Sequence, residues 1–242
     1  MNTVVAPAPE VSGCPAIFDG CRHHERVLEI ITRHENDDHC RSLVEGVSLE
    51  TGLGIFNPEF GSFSRAMARV VRARVHSKQR ALDLGCGSGF FACLMAQLGA
   101  DVTAADIDSR CEPVTLRNAR LNDVKVDFRL ADDQNAYAID ECFEIIVANL
   151  PFSRAELLRD FKNSEYYHSF AAPRGLLSRS VDQALRHLAP GGEFLFSYGS
   201  SGWGDEFAAI QERRDITCRT YVQEVTESGC EVRWICGISP CD

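Results

Sequence analysis

Long apolar runs are missing from this sequence, since its longest apolar stretches, such as residues 144–150, fall far short of the ~20 residues that a membrane-spanning helix needs. Residues 1–13 hold no basic side chain, so we expect neither a secretory signal nor an Arg-rich transit peptide there. The eleven cysteines form no CxxC pair, and without a secretory signal we expect them to be reduced and buried. These absences predict a cytoplasmic protein that does not cross a bilayer.

Basic residues are also few. The 25 Lys and Arg residues are outnumbered by 35 Asp and Glu residues, which gives a formal net charge of -10. A surface dominated by contacts with duplex phosphates is therefore disfavoured, and nucleic acid is the less expected partner. One basic stretch follows residue 64 and comprises Arg65, Arg69, Arg72, Arg74, Lys78 and Arg80. We interpret that stretch as a solvated helix face, with phosphate contacts as the alternative.

A metal site is suggested only weakly. Four of the seven histidines fall between His23 and His39, and Cys21 and Cys40 flank them. The spacing matches no zinc pattern, so a solvated polar helix face is the favoured interpretation and no metal is expected.

The first third of the chain has the pattern of a cap. We expect residues 1–79 to form an N-terminal tail and helical cap, with the tail at 1–15. Apolar spacing predicts a helix over 22–35 that continues irregularly through Leu43 and ends at Gly46. Two glycines within 47–56 suggest a short hairpin, and a further helix starts at Ser62.

From residue 80 onward, short apolar runs alternate with helical segments, which is typical of a parallel sheet covered on both faces. Strands are predicted at 81–84, 101–105, 124–130, 143–149 and 193–198, and helices at 90–98, 112–122 and 176–188. Two β-rich runs at 216–225 and 231–238 add strands at the sheet edge. The fold class is therefore α/β, a Rossmann-like, doubly wound, mostly parallel seven-stranded sheet over residues 80–242 with a helical cap.

The loop from Asp83 to Gly89 follows the first of these strands and opens a helix. Its glycines allow a tight turn and close approach of a ligand, and the helix N-terminus offers unpaired N–H groups. Asp106 ends the next strand, 23 residues after Asp83, where a carboxylate can accept hydrogen bonds from ribose hydroxyls. A tight turn without a ligand is the alternative interpretation.

The spacing is GxGxG, with Asp83 two positions before the first glycine. It resembles the (D/E)xGxGxG motif of class I S-adenosylmethionine-dependent methyltransferases, over roughly residues 81–198. The resemblance implies S-adenosyl-L-methionine as the cofactor, with Asp83 helping to hold the methionine amino group and Asp106 the ribose. It further implies cofactor contacts from Gly85, Cys86, Gly87 and Gly89 in the loop and from Ile107, which would pack on the adenine.

Three further positions match this family less specifically. Asp132 lies where the family often contacts the adenine amino group, although Asp133 is an alternative. The resemblance also implies that Ser62 binds the methionine carboxylate. A helix N-cap is an equally good interpretation of Ser62. Asn118 matches a recurrent family position whose expected role is structural.

The tetrapeptide Asn149-Leu150-Pro151-Phe152 follows a hydrophobic strand and should face the same crevice as the glycine loop. The Asn149 side-chain oxygen and the Leu150 carbonyl can accept two N–H bonds from a planar nitrogen, while Phe152 offers a stacking face. A strand-ending turn is the alternative.

The tetrapeptide resembles the (D/N/S)-(P/I/L)-P-(F/Y/W) signature, the NPPY-like motif of N-methyltransferases, and departs from it by Leu150 in place of the commoner first proline. The resemblance implies a catalytic role for these four residues. It also implies that Asn149 contacts the cofactor. Because the departing proton can leave to solvent, we expect no dedicated general base.

The acceptor is the least constrained part of the interpretation. Residues 153–175 are polar and aromatic, as in a lid over a small substrate. We therefore expect N-methylation of a small metabolite, such as an amino acid, guanidino or amide compound. The alternatives are N-methylation of a macromolecule, at an RNA adenine or guanine or a protein glutamine amide, and a non-catalytic partner subunit.

Overall fold

The computed structural model describes residues 18–36, 41–138, 140–226, 229 and 231–241, apart from the side chain of residue 62. The predicted tail at 1–15 lies outside this part. The strands are β1 Arg41–Val44, β2 Val47–Glu50, β3 Arg80–Leu84, β4 Asp101–Asp106, β5 Asp127–Leu130, β6 Phe143–Ala148, β7 Ser153–Arg154, β8 Ala171–Ala172, β9 Leu188–Gly199, β10 Ile216–Val225 and β11 Val232–Pro240. The α-helices are α1 Gly20–Asn36, α2 Ser62–Arg74, α3 Phe90–Gln97, α4 Cys111–Leu121, α5 Leu176–His187 and α6 Gly204–Gln211. Short 3-10 helices cover Pro58–Phe60, Ala155–Phe161 and Tyr167–Ser169.

Seven strands form the central sheet in the order β10-β11-β9-β6-β3-β4-β5. The five strands from β9 to β5 in that order run parallel, and β11 and β10 add antiparallel pairs at one edge. The predicted doubly wound, mostly parallel fold is confirmed. The strand order reverses between β3 and β6, and such a reversal opens a crevice at the carboxyl ends of the two strands.

Side chains alternate between two apolar layers, as the period of a strand requires. On β6, Ile145 and Val147 pack into the layer beneath α2 and α3, whereas Ile146 and Ala148 pack into the layer beneath α5. The first layer also receives buried side chains of β1, β2 and α2. The cap elements therefore share a core with the sheet, and the boundary at residue 80 stays a prediction.

The cap contains a hairpin, but not at the predicted place. Strands β1 and β2 pair antiparallel on either side of Glu45 and Gly46, whose φ values are +47° and +82°. Two consecutive positive φ values are typical of a two-residue hairpin turn. The prediction of a helix continuing through Leu43 is therefore wrong, because Leu43 belongs to β1. The predicted hairpin over 47–56 is also wrong, because only its first four residues form a strand.

Helix α1 buries two of its histidines. His23 and His34 are each 2% exposed, on the same face as Val27 and Ile31. The His34 Nδ1–H donates to the Ile30 carbonyl (2.7 Å), and the ring accepts the Asn57 N–H at Nε2 (2.8 Å). The prediction of a solvated histidine face is wrong for these two residues.

The sequence predicts neither a metal site nor a membrane-spanning helix. Among the described residues, no cluster of three or more His, Cys, Asp or Glu side chains is placed to hold a metal ion. No described helix combines the length and the apolar character needed to span a membrane.

Two asparagines, Asn118 in α4 and Asn122 at its C-cap, attach the hairpin to the sheet domain. The Asn118 side chain accepts the Glu50 N–H (2.8 Å) and donates to the Glu50 carbonyl (3.1 Å), and Asn122 makes the same pair of bonds with Ser48 (2.9 and 2.7 Å). The asparagines are one helical turn apart, and their partners are two residues apart on β2. The two side-chain amides therefore pair with the backbone along the edge of β2, as a neighbouring strand would. Asn118 also donates to the carbonyl of Ser88 in the glycine loop (2.8 Å).

We predict that Asn118→Ala lowers the free energy of unfolding by about 2–4 kcal/mol, because it leaves buried backbone groups of Glu50 and Ser88 without partners. Arg117→Ala is the control, since Arg117 is half exposed and makes only a long ion pair with Glu50 (3.8 Å); we expect it to cost less than about 1 kcal/mol. Urea unfolding followed by circular dichroism measures both. Equal losses in the two variants would contradict this role for Asn118.

Candidate cofactor and acceptor site

A cavity of about 470 Å³ lies at the carboxyl ends of β3, β4 and β6. The loops after these three strands line it, and so do α1, the segment from 54 to 64, the segment from 168 to 173 and β11. The glycine loop and the tetrapeptide, which sequence analysis assigned to different parts of one site, therefore share one cavity.

The backbone of the glycine loop allows a ligand to approach closely at one of its three glycines. Gly85, Gly87 and Gly89 have φ values of +71°, +53° and +74°, in the left-handed region that favours glycine. An added Cβ at Gly85 would lie 2.5 Å from Leu150, and one at Gly89 would lie 2.7 Å from Thr115. At Gly87 it would meet nothing within 4 Å. Only Gly87 thus has free space above it, and that space belongs to the cavity.

Asp106 lines the cavity and holds the loop at the same time. One carboxylate oxygen accepts the Gly87 N–H (2.8 Å) and the other accepts the Asp108 N–H (2.9 Å). A carboxylate has about four acceptor positions, so two remain for a ligand. Next to it, the Ile107 side chain is 74% exposed at the cavity wall, which suits an aromatic ring packed on it. This arrangement fits the adenosine part of S-adenosylmethionine.

Asp83 lies beneath the loop and does not reach the cavity lining. It is 1% exposed, and one carboxylate oxygen accepts the Ala92 N–H (2.8 Å) in the first turn of α3. Burial, with the nearby charge of Asp106, raises the pKa of Asp83 to about 7. Its contact with any cofactor would have to pass through the loop backbone.

The other predicted cofactor contacts are placed unequally. Cys86 lines the cavity and its thiol lies 3.6 Å from the Thr115 hydroxyl, and burial raises its pKa. Asp132 lines the cavity and accepts the N–H groups of Gln134 and Asn135 (3.0 and 2.8 Å). The Ser62 side chain lies outside the described part of the structure.

Asp133, the alternative to Asp132, has a partner of its own. Its carboxylate lies 3.1 Å from Nε of Arg179. Both carboxylates keep free acceptor positions, so the choice between Asp132 and Asp133 for an adenine contact stays a prediction.

All four residues of the tetrapeptide line the cavity. The Asn149 side-chain oxygen accepts a hydrogen bond from the buried Ser197 hydroxyl on β9 (2.6 Å). Leu150 packs against the glycine loop at Gly85, so the two loops contact each other directly. The Phe152 ring lies 6.0 Å from the Tyr198 ring and 5.5 Å from the guanidinium of Arg233.

Sequence reasoning missed the far wall of the cavity. His23 and Arg26 of α1 and Arg233 of β11 line it. These residues are distant in sequence from both motifs, and no local pattern signals that they meet. Residues 168–171 also lie in this wall, so the segment predicted to be a lid does reach the cavity; its movement stays a prediction.

A family model described as ribosomal protein L11 methyltransferase (PrmA) matches residues 66–197. The ribosomal protein L11 methyltransferase of Porphyromonas gingivalis is 45% identical over 75 residues, which cover 29% of this chain and 25% of that protein. The release factor glutamine methyltransferase of Koribacter versatilis is 33% identical over 132 residues, covering 50% of this chain and 46% of that protein. The chain thus spans less than half the length of either curated relative.

Solved structures agree on the fold. The ribosomal protein L11 methylase of Lactobacillus delbrueckii subsp. bulgaricus superposes with a TM-score of 0.55 at 22% identity, over 80% of this chain and 84% of that chain. At this identity the likeness concerns the fold alone.

The comparisons overturn one prediction. The names of the curated relatives state macromolecular targets, a ribosomal protein and release factors. The expectation of a small-molecule partner is therefore wrong. It depended on the acidic composition and on the polar segment 153–175, and neither reports on the size of the molecule that carries the methylated nitrogen.

The buried Asp83 makes stability depend on pH. Its pKa is raised in the folded state, so between about pH 4 and pH 7 the native protein holds a proton that the unfolded chain releases, and stability falls as pH rises through this window. We predict that Asp83→Asn, which keeps an acceptor for the Ala92 N–H, removes this component. From pH 5 to pH 8 the wild type should lose about 2 kcal/mol more than the variant.

Unfolding by guanidinium at both pH values measures this difference. Asp101→Asn serves as the control, because Asp101 is exposed at the opposite end of the neighbouring strand. A wild type and Asp83→Asn with parallel pH profiles would contradict a protonated Asp83 beneath the loop.

Proposed function

The chain belongs to the ribosomal protein L11 methyltransferase (PrmA) family, and on that premise we propose that it is an S-adenosylmethionine-dependent N-methyltransferase acting on a planar amide nitrogen of a protein. The observation that carries the proposal is the shared cavity, in which Asn149 and the glycine loop face one space. The nearest alternative acceptor is an RNA nucleobase amine.

At the cofactor end, we assign the ribose hydroxyls to Asp106, the adenine face to Ile107 and the adenine amino group to Asp132. Gly87 supplies the open backbone over which the cofactor lies. When bound, S-adenosylmethionine supplies an electrophilic methyl group on a sulfonium. The acidic residues that line this end suit that positive charge.

At the acceptor end, Asn149 and the Leu150 carbonyl accept the two N–H groups of the nitrogen, and Phe152 packs against its planar group. Ser197 supports this assignment because its hydrogen bond holds the Asn149 side chain in place. A second lone pair on the same oxygen stays available for the acceptor. Fixed acceptors turn the nitrogen lone pair toward the methyl group, and positioning of this kind supplies much of the rate.

The charge of the far wall favours an amide over an amine. Arg26 and Arg233 both line the cavity, and the Arg233 guanidinium lies against the Phe152 ring. Guanidinium N–H groups only donate, so they offer no acceptor to a charged ammonium group, whereas the carbonyl oxygen of a neutral amide can accept from them. The named target of the Koribacter versatilis relative, a glutamine, is of the favoured kind.

We predict that two variants separate the ends of the cavity. Asp106→Ala removes two charge-assisted hydrogen bonds and should weaken binding of S-adenosylmethionine about 10- to 100-fold. Asn149→Ala should bind the cofactor within a few-fold of wild type and lose methyl transfer by about 100-fold or more. Isothermal calorimetry and transfer of a tritiated methyl group measure the two quantities, with Asp101→Ala as the control for Asp106.

The acceptor is identified by offering tritiated S-adenosylmethionine with release factor, ribosomal protein L11, ribosomal RNA or tRNA in separate reactions. We expect label on a glutamine of the release factor, located by peptide mass spectrometry. Label on an amine of ribosomal protein L11 or on RNA would refute the amide assignment. Cofactor binding without transfer to any of the four would favour a non-catalytic subunit.

A further inference from the structure

The pairing of β11 with β9 brings Arg233 next to the residues assigned to the acceptor. Arg233 lies opposite Gly199, which is two residues beyond Ser197 on β9. Directly opposed residues of antiparallel strands, and residues two apart on one strand, lie on the same face of a sheet. The side chains of Arg233 and Ser197 therefore project on one side, and Ser197 is the residue that holds the Asn149 oxygen (2.6 Å).

The guanidinium of Arg233 lies against two aromatic rings. Its central carbon is 5.5 Å from the centroid of the Phe152 ring and 5.7 Å from that of the Phe63 ring. The Phe152 ring fills the space above Gly199, where an added Cβ would lie 2.5 Å from it. The ring against which the acceptor would pack and the Arg233 guanidinium are therefore immediate neighbours.

A buried carboxylate holds the Arg233 side chain in this place. One oxygen of Glu231 accepts from Nε of Arg233 (2.8 Å), and the other accepts the N–H (3.2 Å) and the hydroxyl of Ser201. Because the Ser201 proton is given to Glu231, the Ser153 hydroxyl donates to Ser201 (3.1 Å), and Nε2–H of His23 donates to Ser153 (3.1 Å). Each of these hydrogen bonds is directed toward Glu231, which fixes the carboxylate.

Glu231 also balances the charge of Arg233. Burial would raise the pKa of this carboxyl, but the charge of Arg233 and the Ser201 hydroxyl hold the pKa below its ordinary value. The carboxylate is therefore ionised, and the pair as a whole carries no net charge. A second anion bound at Arg233 would lie close to the Glu231 charge, so this wall suits a neutral ligand oxygen.

Arg233 has donors that the protein does not use. A guanidinium carries five N–H donors in a planar fork, and only the one on Nε is bound to Glu231. Among the residues that the structure describes, the N–H groups on the two Nη atoms have no hydrogen-bond acceptor. The side chain is 12% exposed and lines the cavity, so an acceptor for these donors would come from a molecule bound there.

We propose that the Nη groups of Arg233 donate to the carbonyl oxygen of the acceptor amide, which makes Arg233 the residue that selects a carboxamide. The inference rests on the proposed function, in which Asn149 and the Leu150 carbonyl accept the two N–H groups of the same amide. A primary amide has two N–H donors and one carbonyl acceptor in one plane, and these three protein groups match that set. A lysine amine offers Arg233 no oxygen, and a glutamate carboxylate offers Asn149 no N–H.

This contact serves binding of the acceptor rather than the rate of methyl transfer. A hydrogen bond to the amide oxygen draws electron density away from the nitrogen, so it does not make the nitrogen a better nucleophile. The contact is made both before and during transfer, and loss of such a contact raises KM without lowering kcat. Arg233 and Glu231 lie outside residues 66–197, so this selection is added to the matched family segment.

The test is a double-mutant cycle between Arg233 and the acceptor glutamine. Arg233→Lys keeps a cation beside Glu231 but loses the planar fork of donors. With S-adenosylhomocysteine bound, calorimetry measures the Kd of release factor and of a release factor whose methylated glutamine is replaced by methionine. Arg233→Lys should weaken binding of the first about 10- to 100-fold and of the second less than about three-fold. In methyl transfer the KM for release factor should rise by the same factor, with kcat within about three-fold of wild type.

Arg74→Lys is the matched control. Arg74 donates from Nε to the buried Glu193 (2.7 Å), and its guanidinium lies 5.7 Å from the Tyr221 ring, so it repeats the Arg233 arrangement away from the cavity. This control should change neither Kd. A second variant, Arg233→Met combined with Glu231→Gln, removes both charges of the pair and should distinguish the two release factors in the same way. Binding of S-adenosylhomocysteine shows that each variant is folded.

The outcomes separate this contact from the proposed function. Equal weakening for the two release factors, or an unchanged KM in Arg233→Lys, would overturn the carbonyl contact while the wild type still methylates the glutamine. If the wild type places no label on a glutamine of the release factor, the proposed function fails, and the assignment of Arg233 fails with it.

Discussion

The loop after β3 is held between two carboxylates, and the geometry of the whole site depends on this. Asp83 lies below the loop and caps α3 at Ala92, while Asp106 lies in front of it and binds the Gly87 N–H. Both positions follow from the parallel pairing of β3 with β4, which brings Asp83 opposite Ala104 and leaves Asp106 just beyond the end of β3. The loop backbone therefore stays in a left-handed conformation with open space above Gly87.

The same sheet joins the two ends of the cavity. Strands β3 and β6 are parallel neighbours, with Leu84 opposite Ala148, so the glycine loop and the tetrapeptide leave the sheet side by side. Leu150 then packs on Gly85, at a distance that leaves no space for a larger residue there. A shift of either loop would therefore move the other.

Structural features that depend on neighbouring residues in the sequence could be predicted. Features that depend on contacts between distant residues could not. The alternation of strands and helices, the loop from Asp83 and the position of Asp106 each depend on local spacing, and the structure brings them to one crevice. The hairpin was missed because the turn at Glu45 and Gly46 has no sequence signature as strong as Asn-Gly. His23 is buried beside Glu231, more than 200 residues away, and no spacing rule within α1 can reveal this.

The acidic net charge misled the prediction of the acceptor, and the reason is physical. Net charge describes the field of the whole surface, whereas the choice of acceptor depends on a few groups within hydrogen-bond reach. In this chain an acidic surface coexists with a cavity wall that carries Arg26 and Arg233, and Arg233 pairs with the buried Glu231. These three residues lie outside the matched family segment, in α1 and near β11. On the proposed function, the shared segment holds the methyl donor, and the flanking elements add Arg26 and Arg233 to the acceptor end of the cavity.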